Sequence, residues 1–164
     1  MRLTVYTDYS LRLLIYLAVS NDSLATIEEI AKSYGISRNH LTKVAHRLGI
    51  AGYIETVRGR RGGLRLAKTP EAIGLGEVVR YCEPDMAIVT CFDPINANCA
   101  VLSRCVLRGA LSQAREAFCN VLDKYSLADL VRPRTALRSL LSISPAALPT
   151  EHQRAPTSRP RRSI

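Results

Sequence analysis

The chain has 164 residues, of which 47% are hydrophobic, and it carries a formal net charge of +9 at pH 7. This length and apolar content suffice for one ordinary domain with a core, which excludes a wholly disordered protein. No apolar run approaches the ~20 residues that cross a bilayer, and the N-terminal stretch lacks the cleavage site of a signal peptide. We therefore expect a cytoplasmic protein with no membrane partner.

The charge is unevenly distributed along the chain. Residues 1–70 carry 11 Lys or Arg against 5 Asp or Glu, residues 71–125 carry 5 against 7, and residues 126–164 carry 7 against 2. A basic front half on a compact domain indicates a polyanionic partner, and cytoplasmic polyanions are mostly nucleic acid. The low aromatic content, with no Trp and two Phe, argues against base stacking on single strands. Double-stranded DNA is the expected partner.

Three helices are predicted in the first third of the chain. The first follows Thr7, a plausible N-cap, with leucines recurring at helical spacing. The second begins after Thr26, which can form a capping box with Glu29, and it ends at Gly35, which fits the left-handed C′ position. Ser37 caps the third helix after a linker of about three residues. Two short helices joined by such a tight turn indicate a helix-turn-helix.

A glycine-rich hairpin follows the third helix. The segments Tyr53–Val57 and Leu64–Leu66 alternate apolar and polar residues as half-buried strands do. Between them lies Arg58-Gly-Arg-Arg-Gly-Gly. A helix-turn-helix followed at once by a basic hairpin is a winged helix. The predicted fold class is therefore mainly α with a small β wing: a winged helix-turn-helix domain plus a long dimerisation helix.

The start of the third helix and the tip of the wing carry the candidate DNA contacts. N-terminal residues of a recognition helix reach base edges in the major groove, while hydroxyl and Lys side chains reach phosphates. Guanidinium groups on a thin hairpin enter the minor groove or clamp its phosphates. The candidates on the helix are Ser37, Arg38, Asn39, His40, Thr42, Lys43 and Arg47, and those on the wing are Arg58, Arg60 and Arg61.

The rest of the chain divides into a loop, a long helix and a tail. The winged-helix domain spans 1–83, and an aperiodic loop over 84–105 holds most of the cysteines. A helix from roughly residue 103 has more apolar surface than so small a domain can cover, so 103–132 is predicted to be a dimerisation helix with a short capping helix. A two-fold dimer suits a palindromic operator. Residues 133–164 are predicted to be weakly helical and then a disordered basic tail.

The chain has five cysteines, and three of them lie within fifteen residues: Cys91, Cys99 and Cys105. Cytosolic thiols are normally reduced, so a disulfide framework is not expected. The spacing differs from the paired C-x2-C of structural zinc, and no His lies between His46 and His152 to complete a zinc site. Soft thiolates therefore favour an iron–sulfur cluster, with zinc as the alternative. Cys82 and Cys119 are most simply small core residues.

Four segments together carry a family resemblance. They are LTVYTDYSLRLLIYLA, GISRNHLTKVAHRLGIAGYIETVRGRRGGLRLAK, the C-x7-C-x5-C loop and DKYSLADLV. In this order they resemble the NsrR family of nitric-oxide-sensing repressors, within the winged-helix superfamily that includes the iron–sulfur regulator IscR. The resemblance covers roughly 1–132 and more weakly 133–144. It implies a homodimeric repressor with a [4Fe–4S] cluster, whose ligands would be Cys91, Cys99, Cys105 and, from the partner subunit, Asp8.

The resemblance also implies a response to nitric oxide. A hard carboxylate on soft iron is a weak ligand, so iron held by Asp8 would be the most open to attack. Loss of the cluster would release the 91–105 loop from the long helix and from the partner's first helix. The two recognition helices would then lose the spacing that a palindrome requires. The alternative role for Asp8 is a favourable charge in the first turn of a helix.

Two other interpretations of the function remain open from the sequence. A regulator of iron status or of thiol redox state would keep the DNA-binding half and carry a [2Fe–2S] cluster, zinc or no metal. An electron carrier or iron–sulfur enzyme would leave the helix-turn-helix and the arginine wing without a role. Because no acid–base pair or glycine-rich substrate loop is present either, we expect no enzyme activity.

Overall fold

The computed structural model describes residues 2–20, 23–83, 86–93 and 98–143. These residues form seven α-helices and one two-stranded antiparallel sheet. The elements in chain order are α1 Val5–Ser20, α2 Ile27–Tyr34, α3 Arg38–Ile50, β1 Ile54–Val57, β2 Gly63–Leu66, α4 Leu75–Cys82, α5 Val106–Leu122, α6 Leu127–Leu130 and α7 Arg134–Leu140. Short 3-10 turns lie at Pro70–Ala72, Thr90–Phe92 and Leu102–Arg104. The predicted basic tail beyond residue 143 lies outside the described residues.

Helix α1 lies at the centre of the core, where Leu13 and Leu14 are fully buried. It begins earlier than the sequence predicts, because Thr4 supplies the capping hydroxyl: the backbone N–H of Thr7 donates to Thr4 Oγ1 at 3.2 Å. Thr7 itself is fully buried, and its hydroxyl donates to the carboxylate of Glu83 at the end of α4. The predicted N-cap at Thr7 is therefore wrong, because the contact with α4 draws that hydroxyl into the domain.

Helices α2 and α3 form the predicted helix-turn-helix. Thr26 N–H donates to Glu29 Oε2 at 2.7 Å, and Glu29 N–H donates to Thr26 Oγ1 at 3.2 Å, which confirms the capping box. Gly35 ends α2 with a φ of 63°, a left-handed conformation that favours glycine. Ile36 then enters the core. Ser37 precedes α3 as predicted, although its side chain makes no capping hydrogen bond.

Strands β1 and β2 form the predicted wing. They pair antiparallel with Ile54 opposite Leu66 and Thr56 opposite Leu64. Leu64 is buried, and its backbone exchanges two hydrogen bonds with Ala25, at 2.8 and 3.0 Å. A Cβ at Gly63 would lie 3.0 Å from the Ala25 carbonyl oxygen, a tight contact, so glycine eases this close approach. The wing is therefore anchored at its base while its tip is free.

The C-terminal helices return to the domain through α6. Leu127 N–H donates to the Ile73 carbonyl, and Leu75 N–H donates to the Tyr125 carbonyl, both at 2.8 Å. Leu127 is buried, whereas no residue of α5 is. Helix α5 therefore lies along the outside of the described domain. Within the described residues, no helix combines the length and apolarity needed to cross a bilayer.

Helix α7, at Arg134–Leu140, caps the C-terminal end of α1. The Arg134 guanidinium donates to the Ala18 carbonyl at 2.7 Å, and Arg138 donates to the Val19 carbonyl at 3.1 Å. Since α1 has no basic residue in its own last turn, these two arginines supply the positive charge that a helix C-terminus favours. Helix α7 is therefore tied to the central helix.

Candidate nucleic-acid interface and cysteine segment

Helix α3 has one buried and one exposed face, each following the same helical spacing. The buried face consists of Leu41, Val44, Ala45 and Leu48. The residues at the same spacing on the other side are all exposed: Asn39, Thr42, Lys43 and His46. We call these four residues the outward face of α3. It is the surface that a recognition helix presents to a major groove.

The N-terminal end of α3 is also accessible. Ser37 and Arg38 are both exposed. Thr42 Oγ1 donates to the Arg38 carbonyl oxygen at 2.9 Å, so its hydroxyl proton is used inside the helix while the oxygen keeps a free lone pair. The structure thus brings the N-terminal candidates and the outward face into one continuous exposed surface.

The wing presents the three predicted arginines at its tip. Arg58, Arg60 and Arg61 are exposed. Gly59 has a φ of 120°, which favours glycine, and a Cβ at Gly62 would clash with the Val57 carbonyl oxygen, so the turn depends on both glycines. A thin, cationic hairpin of this kind fits a narrow groove.

His40 and Arg47 lie at the edge of the outward face, on the side of α3 that is turned toward α1. The His40 ring lies 6.1 Å from the Tyr9 ring, centroid to centroid, and the Arg47 guanidinium lies 4.4 Å from the centroid of the Tyr6 ring. Both tyrosines belong to α1. The structure therefore gives these two predicted DNA contacts protein partners that the sequence did not predict.

His46, which was not among the predicted DNA contacts, also lies on the outward face. Its signal was present in the sequence, since residues 39, 42, 43 and 46 follow the spacing of one helix face. Because the four residues of the opposite face are buried, the face that includes His46 is the one open to solvent. We therefore add His46 to the candidate DNA contacts.

The three clustered cysteines lie between α4 and α5 and are all free thiols. Cys91 is half-buried in a 3-10 turn, and Cys99 is exposed. Cys105 precedes α5 as its N-cap, where its sulfur accepts the Arg108 N–H at 3.3 Å. Among the described residues, no three His, Cys, Asp or Glu side chains lie close enough together to hold one metal ion. The structure does not bring these thiols together, and the ligand set remains a prediction.

Asp8 lies in the first turn of α1. Its carboxylate accepts a hydrogen bond from Arg12 Nε at 2.9 Å, one turn further along the helix, and its side chain is about half exposed, at 47%. The carboxylate is therefore accessible to a second copy of the chain, while within its own chain it is paired. An exposed pair of this kind contributes little stability.

The chemistry of the donor set fits an iron–sulfur cluster. The three thiols of the segment are accessible or partly accessible, and none is in a disulfide. By contrast, Cys82 is buried in the core, as predicted, and burial raises the pKa of its thiol. Cys119 is half-buried on α5, with its thiol 3.7 Å from Met86 Sδ. Cys119 is therefore not the core residue that was expected, and accessibility sets apart only Cys82 from the three thiols of 91–105.

A cavity of about 570 Å³ lies beside Cys105 and is lined by Phe92 and the N-terminal half of α5. Three arginines contribute to its wall: Arg104, Arg108 and Arg115. The Arg115 guanidinium lies 5.0 Å from the centroid of the Phe92 ring. The surroundings of Cys105 are therefore cationic.

Helix α5 carries an uncovered apolar stripe. Leu107, Ala110, Ala114, Ala117 and Val121 are all exposed and are spaced alternately three and four residues apart. This is the repeat of a helix that packs against another helix along its length. Val121 is 52% and Leu107 65% exposed, which is costly for aliphatic side chains in water.

A family model described as Rrf2, iron-dependent transcriptional regulator, matches residues 3–133. The chain belongs to the Rrf2 family. It is 49% identical over 143 residues to the HTH-type transcriptional regulator NsrR of Bacillus licheniformis, covering 87% of this chain and 100% of the relative. It is 50% identical over 144 residues to NsrR of Bacillus subtilis, covering 87% and 99%.

Solved structures support the same fold. CymR, the global cysteine regulator of B. subtilis, superposes with a TM-score of 0.64 at 25% identity, covering 79% of this chain and 95% of that one. IscR of T. potens gives a TM-score of 0.66 at 22% identity, covering 81% and 88%. These comparisons confirm the predicted winged-helix fold class. As an Rrf2 protein, the chain is a DNA-binding transcriptional regulator and not an enzyme.

Proposed function

We propose that this Rrf2 protein is a homodimeric repressor that senses nitric oxide through a [4Fe–4S] cluster and releases its operator when the cluster is nitrosylated. The observation that carries the proposal is the position of three free, accessible thiols on one segment between the winged helix and the uncovered helix α5. Identity at about half of the aligned residues to two proteins named NsrR supports the same function.

DNA binding is assigned to the helix-turn-helix and the wing. The N-terminal end and outward face of α3 enter the major groove, where Arg38 pairs with guanine and Asn39 with adenine. Hydroxyl and Lys side chains position the helix on phosphates. The wing arginines reach the adjacent minor groove or its phosphates. Two copies read the two halves of a palindrome.

The dimer is assigned to α5. Pairing of the Leu107–Val121 stripe with its copy would remove five apolar side chains from water on each helix. The paired helices would place the two winged-helix domains on either side of a two-fold axis. The spacing between the two α3 helices is then set by the attachment of each domain to its own α5.

The residues that would hold the cluster are Cys91, Cys99 and Cys105, with Asp8 of the partner subunit as the fourth ligand. When bound, the cluster supplies iron sites that react with nitric oxide, of which the carboxylate-held iron is the least protected. Bound to the cluster, the thiolates would tie the 91–105 segment to the start of α5. Asp8 would tie that segment to the first turn of the partner's α1.

These ties account for the loss of repression. With the thiolates and Asp8 engaged, α1 of one subunit is fixed against the segment of the other, and the two α3 helices keep the spacing of the operator. When the ties are lost, the domains move independently on α5. Specific affinity then falls toward the level that phosphate contacts alone provide.

The test is an anaerobic titration. The full chain is purified without oxygen, and its visible spectrum and its binding to a duplex selected by the protein from a random-sequence pool are followed together as nitric oxide is added. A broad cubane-type band that bleaches in step with loss of DNA binding is the expected result. In Cys99→Ala the band and the response should both be lost, whereas Cys119→Ala serves as the matched cysteine control and should retain them.

Other outcomes of this titration identify the alternatives. A [2Fe–2S] spectrum, or DNA binding that follows iron supply or thiol oxidation but not nitric oxide, would indicate a regulator of iron status or redox state. A colourless protein that contains zinc and binds DNA regardless of nitric oxide would overturn the sensor and leave the DNA-binding regulator in place.

A further inference from the structure

Two side chains of α3, His40 and Arg47, contact two tyrosine rings of α1. His40 and Arg47 are seven residues apart, which places them on the same side of α3. Tyr6 and Tyr9 are three residues apart, which places them on the same side of α1. The contacts are His40 with Tyr9, at 6.1 Å between centroids, and Arg47 with Tyr6, at 4.4 Å from guanidinium to centroid.

This side of α3 lies at the edge of the outward face that is nearest α1. The exposed Arg47 is about 100° around the helix from His46 and about 40° from Lys43, its nearest neighbour on that face. It is also in the last turn of α3, whereas base contacts are made from the first turns of a recognition helix. The guanidinium therefore leaves the helix on the side of α1.

The backbone of Arg47 is held from a third element. Its carbonyl oxygen accepts the Tyr81 hydroxyl of α4 at 2.9 Å in addition to the Ala51 N–H at 3.0 Å. Tyr81 in turn packs edge-to-face on Tyr53, at 5.9 Å between centroids, at the entry to β1. Arg47 thus joins the C-terminal end of α3 to α1 through its side chain and to α4 through its carbonyl.

We propose that Arg47 is a positioning residue: it sets the angle of the recognition helix on α1 by stacking on Tyr6, and it acts on DNA affinity through that contact. The proposal rests on the DNA-binding role of α3 given above. A guanidinium within about 6 Å of a ring centroid is attracted to the ring face. Because α3 crosses α1 near this contact, a loss there tilts the helix relative to the wing.

The first measurement is the salt dependence of binding to the selected duplex, using the anaerobically purified full chain. A phosphate contact contributes about one unit to the slope of log affinity against log salt. Arg47→Ala is expected to weaken binding about threefold to tenfold while the slope is unchanged. The wing variant Arg60→Ala is the control and is expected to lower the slope by about one. A slope lowered by about one in Arg47→Ala would overturn the proposal.

The second measurement is a double-mutant cycle between Arg47→Ala and Tyr6→Leu. Tyr6→Leu should weaken DNA binding as Arg47→Ala does, and the two together should weaken it no further than either alone. Tyr6→Phe keeps the ring and should bind like the wild type. Additive losses in the double variant would show that Arg47 acts independently of Tyr6 and would overturn the proposal.

A readout that does not depend on DNA separates this proposal from the proposed function. The unfolding free energies of the same four proteins should be non-additive if Arg47 and Tyr6 are coupled, and additive values would contradict the coupling. If the wild type itself selects no duplex, the proposed function fails. The unfolding cycle still decides whether Arg47 acts through Tyr6.

Discussion

Single side chains decide where the helices of the DNA-binding half begin and end. Thr26 and Glu29 satisfy each other's backbone N–H groups at the start of α2, and Gly35 ends the same helix in a conformation that other residues avoid. Ser37 occupies the equivalent position before α3 without making a side-chain hydrogen bond. Two N-cap positions of the same motif thus differ in what their hydroxyls contribute.

This difference predicts unequal effects of removing the two hydroxyls. Thr26→Ala should lower the free energy of unfolding by about 1 kcal/mol, because it leaves the Glu29 N–H without its partner. Ser37→Ala is the matched control and should change it by less than about 0.5 kcal/mol. Urea denaturation of both variants measures the difference. Equal losses would contradict the assignment of the cap to Thr26 alone.

At the scale of elements, the end of α4 is tied to the start of α1. Thr4 N–H donates to Glu83 Oε1 at 2.6 Å, and the Thr7 hydroxyl donates to the same carboxylate. Partial burial acts to raise the pKa of Glu83, but these hydrogen bonds outweigh it, and the pKa lies below its usual value. The two helices are therefore joined most firmly when Glu83 is ionised.

The lowered pKa predicts a pH-dependent contribution to stability. Because the folded pKa is below the unfolded value of about 4.5, the contribution of Glu83 is fully present above that pH and is lost as the pH falls through the folded pKa. Glu83→Gln should therefore lower the melting temperature at pH 7 and have a shrinking effect below pH 4.5. Glu28→Gln, on the exposed side of α2, is the control. An effect of Glu83→Gln that is constant with pH would contradict the ionised bond.

At the scale of the whole molecule, the described chain combines a domain with a buried core and one helix, α5, whose apolar side chains are exposed. The core gathers α1, α3, α4 and α6 around side chains such as Leu13 and Leu127, whereas α5 contributes no buried residue. The stripe on α5 therefore gains its packing only from a second copy in the proposed dimer. Stability of the assembly should then depend on protein concentration.

A charge placed in the stripe is predicted to separate the copies. Ala114→Arg lies at the middle of the stripe and should convert the dimer to a monomer, because it would place a charge between two apolar helices. Glu116→Arg introduces positive charge on the other side of the helix and should leave the dimer intact. Analytical ultracentrifugation distinguishes the two. A dimeric Ala114→Arg protein would exclude this face as the interface.

The sequence alone was sufficient for those features that depend on neighbouring residues. The capping box at Thr26, the turn at Gly35, the two wing strands and the arginine tip were all predicted, because each rests on residues a few positions apart. The density of thiols over 91–105 likewise identified the candidate metal segment. The N-cap at Thr7 was the exception, since Glu83 at the end of α4 accepts a hydrogen bond from its buried hydroxyl.

Only the tertiary structure decided which surfaces are free. The position of α1 turned Arg47 and His40 toward tyrosines and left His46 on the outward face, although all three look alike as polar residues of one helix. It also brought Arg134 and Arg138 to the C-terminus of α1, more than a hundred residues earlier in the chain. Helix caps and helical spacing involve residues within about one turn of each other. They can therefore be predicted from the local sequence. The side of a helix that faces solvent depends on elements distant in sequence, and only packing determines it.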